Sequence, residues 1–118
     1  MVDWVCTDGY NWAPARSDPW RSFQSIFQSF YDWAKTTGKP IMIGEFGAIE
    51  RAPGEKAAWI RAIGPTLREA FPEVKAIVYF DEDKYENGSH FDWRLDATPA
   101  SYAAWNDLIN DPYLRTRR

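Results

Sequence analysis

The sequence predicts an α/β fold in which three short strands alternate with amphipathic helices, in the order β-α-β-α-β-α. Three observations carry this. Residues 2–6, 41–43 and 76–80 are short apolar runs, too short for helices and rich in β-branched or aromatic residues. Apolar residues between and after them recur every three or four positions. Strands that read as continuous apolar runs, alternating with helices, imply a parallel sheet covered by helices.

The elements follow in order. After the first run comes a loop over 8–17. Asp18 then reads as an N-cap with Pro19 at the first helical position. Trp20, Phe23, Ile26, Phe27, Phe30 and Ala34 form one stripe, and Gly38 and Pro40 end the helix. The second run is followed by a loop over 48–54 and a helical pattern of Ala58, Trp59, Ala62, Ile63, Leu67, Ala70 and Phe71, which Gly64-Pro65 must kink or split. The third run leads into a longer loop over 81–97 with an Asn87-Gly88 turn. Thr98-Pro99 then caps a last helix that runs to about Ile109. Residues 1–110 read as one unit, and 111–118 as a short basic tail in solvent.

The 118 residues suffice for one domain with a modest core. A net charge of −3 and the lack of a basic stripe argue against a nucleic-acid partner. No apolar stretch approaches a membrane span, and no signal peptide opens the chain. The single cysteine, Cys6, lies in an apolar run and reads as a buried, inert thiol. No Cys/His cluster suggests a metal, and no cofactor is expected. Aromatics reach 17% with seven Trp, an excess that suits stacking on sugar rings as well as core packing.

In parallel α/β folds functional residues gather at the C-terminal ends of the strands. All three runs here end on polar residues: Asp8 to Trp12, Gly44-Glu45-Phe46-Gly47, and Asp81-Glu82-Asp83. Glu45 stands where a strand delivers a side chain to that edge, and its flanking glycines allow close approach and a tight exit. A carboxylate among aromatics suits glycoside hydrolysis, in which retaining enzymes use two carboxyls ~5–5.5 Å apart. Pairing with an arginine, or capping a helix, accounts for Glu45 as well.

The strings VDWVCTDGYNW, KPIMIGEFG, KAAWIRAI and AIVYFDED…FDWRLDATPASYAAW together resemble the C-terminal part of glycoside hydrolase family 26, over roughly residues 2–109. The DGYNW stretch favours that family over the related family 5. The resemblance implies a partial (β/α)8 TIM barrel made of the C-terminal three βα units, strands six to eight. It implies a retaining, β-mannanase-like endo-β-glycanase acting on a β-linked polysaccharide. Glu45 matches the nucleophile, and Tyr10 matches a tyrosine that hydrogen-bonds it. Tyr79 takes a place where many members carry a sugar-stacking Trp. Trp12, Trp20 and Trp93 are subsite aromatics or packing residues, with packing favoured for Trp20. Asp8 and Asp81 either shape the pocket or cap and pair. His90 is a lone loop histidine.

The family's acid/base glutamate ends the fourth strand. At ~30 residues per unit it is expected well before Met1, so the chain reads as incomplete for catalysis. General-acid assistance typically contributes ~10²–10⁴-fold. Asp8 or Asp81 lies near Glu45 if the strands pair in sequence order. Three strands cannot close a barrel. Val2, Val5, Ile41, Ile43, Ile77 and Tyr79 are expected to include residues facing the absent strands. The expected outcome is a marginal protein, a homo-oligomer through the open sheet edge, or a three-stranded sheet with helices on one face. The alternatives are a non-catalytic carbohydrate-binding module and a truncated remnant. Family members are commonly secreted, which leaves localisation open. The Asn87-Gly88-Ser89 sequon reads more simply as a turn.

Overall fold

The computed structural model describes residues 3–115, so Met1, Val2 and the last three residues, with Arg117 and Arg118, lie outside the described residues. Strands β1 (Val5–Asn11), β2 (Ile41–Ala48) and β3 (Val74–Tyr79) form one parallel sheet in the order β1-β2-β3. Two of the strands run past their apolar signal. β1 pairs with β2 as far as Asn11 opposite Ala48, so the polar stretch after Cys6 is strand rather than loop. Ladder bonds come from the backbone and continue where side chains turn polar.

Helices cover one face of this sheet. Val5, Ile41, Ile43, Ile77 and Tyr79, expected to include residues of the other face, all pack in or against that helix-side core. The bare face belongs to the alternate positions. Cys6 pairs with Met42, and Met42 with Ala76. Cys6 is exposed, not buried, and Val78 is 49% exposed. With a side-chain period of two, a one-residue error in phase exchanges the two faces.

Helix α1 (Phe23–Ala34) starts later than Asp18-Pro19 suggests, with Ser22 accepting from Ser25 N as its cap. The reason is tertiary. The N–H of Arg21 donates to Asn11 Oδ1 at 3.1 Å, and its carbonyl accepts from Trp59 Nε1 at 2.8 Å. Both backbone groups are thereby taken outside the helix. The buried stripe is Phe23, Phe27, Tyr31 and Ala34, and Trp20 packs against the core from the preceding segment.

The second helical region splits into α2 (Glu55–Arg61) and α3 (Ile63–Glu69), breaking at Ala62 just before Gly64-Pro65. Two strands not expected from sequence, β4 (Asp83–Glu86) and β5 (Ser89–Asp92), form a hairpin. Its turn is the expected Asn87-Gly88 pair, both with positive φ as a two-residue hairpin turn demands. The flanking residues are mostly charged and exposed, so no apolar alternation announces them. Helix α4 (Pro99–Ile109) begins at Thr98, which forms a capping box with Ser101. The short α5 (Pro112–Arg115) places Tyr113 and Leu114 against the core, so residues 111–115 pack rather than extend into solvent. Among the described residues no helix is long and apolar enough to cross a membrane.

The helix layer contains much of the aromatic excess. Phe23, Phe27, Tyr31, Phe46, Trp59, Phe71 and Tyr79 share one core. Phe23 meets Phe46 edge-on at 5.4 Å, and Phe46 meets Tyr79 at 5.2 Å. Gly9 lets α1 close on β1: a Cβ there would lie 2.8 Å from Ile26 Cγ2 and 2.8 Å from Phe27 Cε1. Gly9→Ala is therefore expected to destabilise the protein by about 1–3 kcal/mol, the usual range for overpacking. A lowered urea midpoint at unchanged m-value is the measurement; an unchanged midpoint would show that α1 is free to move off the strand.

Candidate active site

The position of Glu45 follows from a register slip. Thr7 pairs with Ile43, yet the next residue, Asp8, pairs with Glu45, so Gly44 is an extra residue in β2. Ile43 and Phe46 both enter the helix-side core although three residues apart. In a regular strand Glu45 would share the face of Ile43 and bury its charge among apolar side chains. The bulge turns it to the open face, where Tyr10 Oη donates a hydrogen bond to Glu45 Oε1. Tyr10 reaches that face by alternation from Cys6 and Asp8.

Around this pair lies a cleft of about 410 Å³, lined by Tyr10, Trp12, Glu45, Phe80, Lys84, Glu86 and Trp93. Its aromatic wall is built edge to face. Trp12 and Trp93 meet at 4.9 Å, Tyr10 and Trp93 at 5.2 Å, and Phe80 packs on Tyr10 at 5.8 Å. Trp93 is only 1% exposed and leans on β2 where Gly47 has no side chain; a Cβ there would lie 3.2 Å from its Cε3. Trp12 is half-buried and carries the Arg16 guanidinium 4.3 Å above its ring.

The other expected site residues are placed differently. Tyr79 does not reach the cleft. Its ring is buried in the helix-side core, and its hydroxyl donates to Trp93 O at 2.7 Å and accepts from Ala48 N at 3.3 Å. Burial pushes its phenol pKa up. The next residue, Phe80, lies on the cleft instead. Asp81 Oδ1 accepts from Leu95 N at 2.8 Å and so anchors a loop. Asp8 is exposed on the open face beside Glu45, its Oδ1 3.3 Å from where a Gly44 Cβ would stand. Trp20 lines a separate groove with Phe23 and Trp59. His90 pairs with Asp83 on the hairpin and stacks on Tyr85 at 4.4 Å. Asp83, His90 and Asp92 bring ligand atoms within 4.8 Å of one another, but the guanidinium of Arg94 already holds Asp92 in a two-bond fork at 2.9 Å and opposes a cation there.

Sequence reasoning missed Lys56. Its side chain is 0% exposed, and its Nζ donates to Trp93 O at 3.1 Å and Arg94 O at 2.7 Å. Burial pushes the amine's pKa down to about 8, against the opposing pull of Asp92, Glu50 and Asp81. The signal lay in the phase of α2. Lys56, Trp59, Ile60 and Ile63 make a regular buried stripe, while Ala58 and Ala62, counted as apolar, are exposed. Lys84, Glu86 and Phe80 were also missed, the first two because their hairpin was read as loop.

Fold and site define an α/β domain with a carboxylate cleft at the C-terminal ends of a parallel sheet. The chain is 36% identical over 110 residues to Endoglucanase H of Acetivibrio thermocellus, covering 92% of this chain and 12% of that protein. It also superposes on the X-ray structure of the endo-β-1,4-mannanase from Thermotoga petrophila with a TM-score of 0.55 at 17% identity, over 99% of this chain and 27% of that one. No family model matches. The two similarities are consistent with a segment of a mannanase-like glycoside hydrolase domain.

The buried amine makes a pH prediction. Lys56 titrates near 8 when folded, against 10.5 for the free side chain. Below pH 8 it is charged in both states, and the cost of burying the charge is fully present. Between about pH 8 and 10.5 the unfolded chain holds a proton that the folded chain has lost, so this group's contribution to stability rises with pH. The stability of wild type relative to Lys56→Met is expected to increase across that window, by on the order of 3 kcal/mol. Urea titrations at pH 7.5, 9 and 10 measure it, and a flat difference would mean that the amine is solvated.

Proposed function

We propose that the chain is the nucleophile-bearing part of a family 26-like retaining β-glycanase, its three βα units corresponding to strands six to eight of a (β/α)8 barrel. The observation that carries this is Glu45, turned by the bulge into an aromatic cleft and hydrogen-bonded by Tyr10. The similarities to an endoglucanase and a mannanase support the reaction class. In the proposed reaction the Glu45 carboxylate attacks the anomeric carbon of a β-linked polysaccharide, and the bond to the leaving oxygen breaks. Water then cleaves the glycosyl ester. Trp12 and Phe80 offer flat faces to the sugar, backed by the buried Trp93, and Asp8 borders the nucleophile. The sheet face of Cys6, Met42, Ala76 and Val78 would meet the remaining barrel strands, or a second copy of the chain. No position of these residues matches the family's acid/base glutamate, so the 118 residues alone are expected to turn over natural glycans poorly or not at all.

A leaving group that needs no protonation separates the nucleophile from the acid. A 2,4-dinitrophenyl 2-deoxy-2-fluoro-β-glycoside, offered as the cellobiosyl and mannobiosyl forms, is expected to add one glycosyl group to Glu45, seen by mass spectrometry of the digested protein. Glu45→Gln should abolish the adduct, and EDTA should leave it unchanged. Labelling that persists in Glu45→Gln would overturn the assignment of the nucleophile. The second reading, a non-catalytic sugar-binding module, is favoured by the clustered aromatic wall. It predicts no adduct but saturable quenching of Trp fluorescence by the same oligosaccharides.

A further inference from the structure

We propose that Lys56 is a positioning residue for the cleft: its buried ammonium, bonded to the carbonyls of Trp93 and Arg94, sets the pose of Trp93 and of the β4–β5 hairpin that together wall the sugar site. The role rests on reading the cleft as a glycan site. Its geometry does not.

The hairpin is a separate two-stranded sheet. Such a ribbon is marginal by itself, so its pose is dictated at its base. Trp93, the residue after β5, is that base. Its N–H donates to Glu82 O at 2.9 Å and closes the hairpin. Its carbonyl accepts from both Tyr79 Oη at 2.7 Å and Lys56 Nζ at 3.1 Å, and the same Nζ takes the next carbonyl, of Arg94, at 2.7 Å. Lys56 comes from α2, a different βα unit, and brings a charged donor to two consecutive peptide groups. Hydrogen bonds from a charged donor are roughly twice as strong as neutral ones. What the latch holds is the lining of the cleft: the buried Trp93 ring behind Trp12 and Tyr10, and on the hairpin Lys84 and Glu86, their charged atoms 3.9 Å apart.

A lysine is an expensive choice for filling core volume. A buried ammonium costs several kcal/mol of desolvation that a methionine of similar shape avoids. The charged groups around the amine are Asp92, Asp81, Glu50 and Arg94, and the Tyr79 ring centre lies 5.9 Å away. None of these carboxylates forms a direct ion pair with Lys56 among the described residues. The direct acceptors are the two backbone carbonyls, which is the arrangement expected of a strut.

The test follows the indole N–H and backbone amide resonances of Trp93 in the whole chain, labelled selectively with nitrogen-labelled tryptophan and assigned by the loss of both signals in Trp93→Phe, together with the Kd for cellotetraose and mannotetraose. Lys56→Met is expected to shift the Trp93 resonances and weaken oligosaccharide binding at least tenfold, while far-UV circular dichroism stays as in wild type. Unmoved Trp93 resonances overturn the proposal, whether or not binding changes. Resonances that move in a protein whose wild type binds neither sugar support the latch and overturn the glycan reading instead. If Lys56→Met does not fold, a titration of Cys6→Ser decides. Movement of the Trp93 signals with a midpoint near pH 8 supports the latch, and no movement between pH 6.5 and 9.5 overturns it.

Discussion

The bulge at Gly44 in β2 decides what kind of surface this protein has. A parallel strand alternates its side chains between two environments, here a helix-packed core and an open face. Were Gly44 a regular residue of the strand, Glu45 would fall into phase with Ile43 and enter the helix-side core, and Phe46 would turn out of it. An unpaired carboxylate there would take up a proton or oppose folding, because burying a lone charge costs far more than any single side chain contributes. The slip leaves Ile43 and Phe46 as core residues and presents the carboxylate to Tyr10. β2 thus serves two incompatible demands within four residues.

Trp93 is the second place where core and cleft meet. Its ring lies against Gly47 and the cleft aromatics, while its carbonyl receives donors from the core residues Tyr79 and Lys56. For Lys56 the charge is a net cost. A pKa lowered from 10.5 to about 8 corresponds to a penalty on the order of 3 kcal/mol for the ammonium with its hydrogen bonds already included. The charge therefore adds no stability, and what the amine chiefly provides is the definition of one backbone pose. Tyr79, in turn, acts on the cleft through its hydroxyl and not through its ring.

Much of the fold was legible because it rests on local signals. The strand and helix order, the break near Gly64-Pro65, the Thr98-Pro99 cap and the Asn87-Gly88 turn each come from residues whose backbone preferences dominate their context. The failures share a different cause. The start of α1 is set by Asn11 and Trp59, which are remote in sequence and take both backbone groups of Arg21. The hairpin strands carry charge on exposed faces and so lack a hydrophobic period. In the site, Glu45 stood out by residue type at a strand end and Tyr10 only through the family resemblance, and a hydrogen bond joins the two. Tyr79 turned into the core, Phe80, of which no role was expected, took the cleft position, and Cys6 emerged on the open face, because a short apolar run does not reveal which alternate positions meet the helices.

The division between the two faces bears on which positions can change independently. Phe23, Phe46, Trp59 and their neighbours form a core that involves only the helix side of the sheet. The cleft residues Trp12, Phe80, Lys84 and Glu86 belong to the strand ends and the hairpin, outside that core cluster. Changes at these positions alter what the cleft holds with little effect on the main apolar packing. Trp93 and Lys56 do not have that freedom, since each joins the two halves. Substitutions in the hairpin and at Trp12 therefore change the lining of the cleft, while the latch and the bulge constrain the direction in which Glu45 and its aromatic wall face.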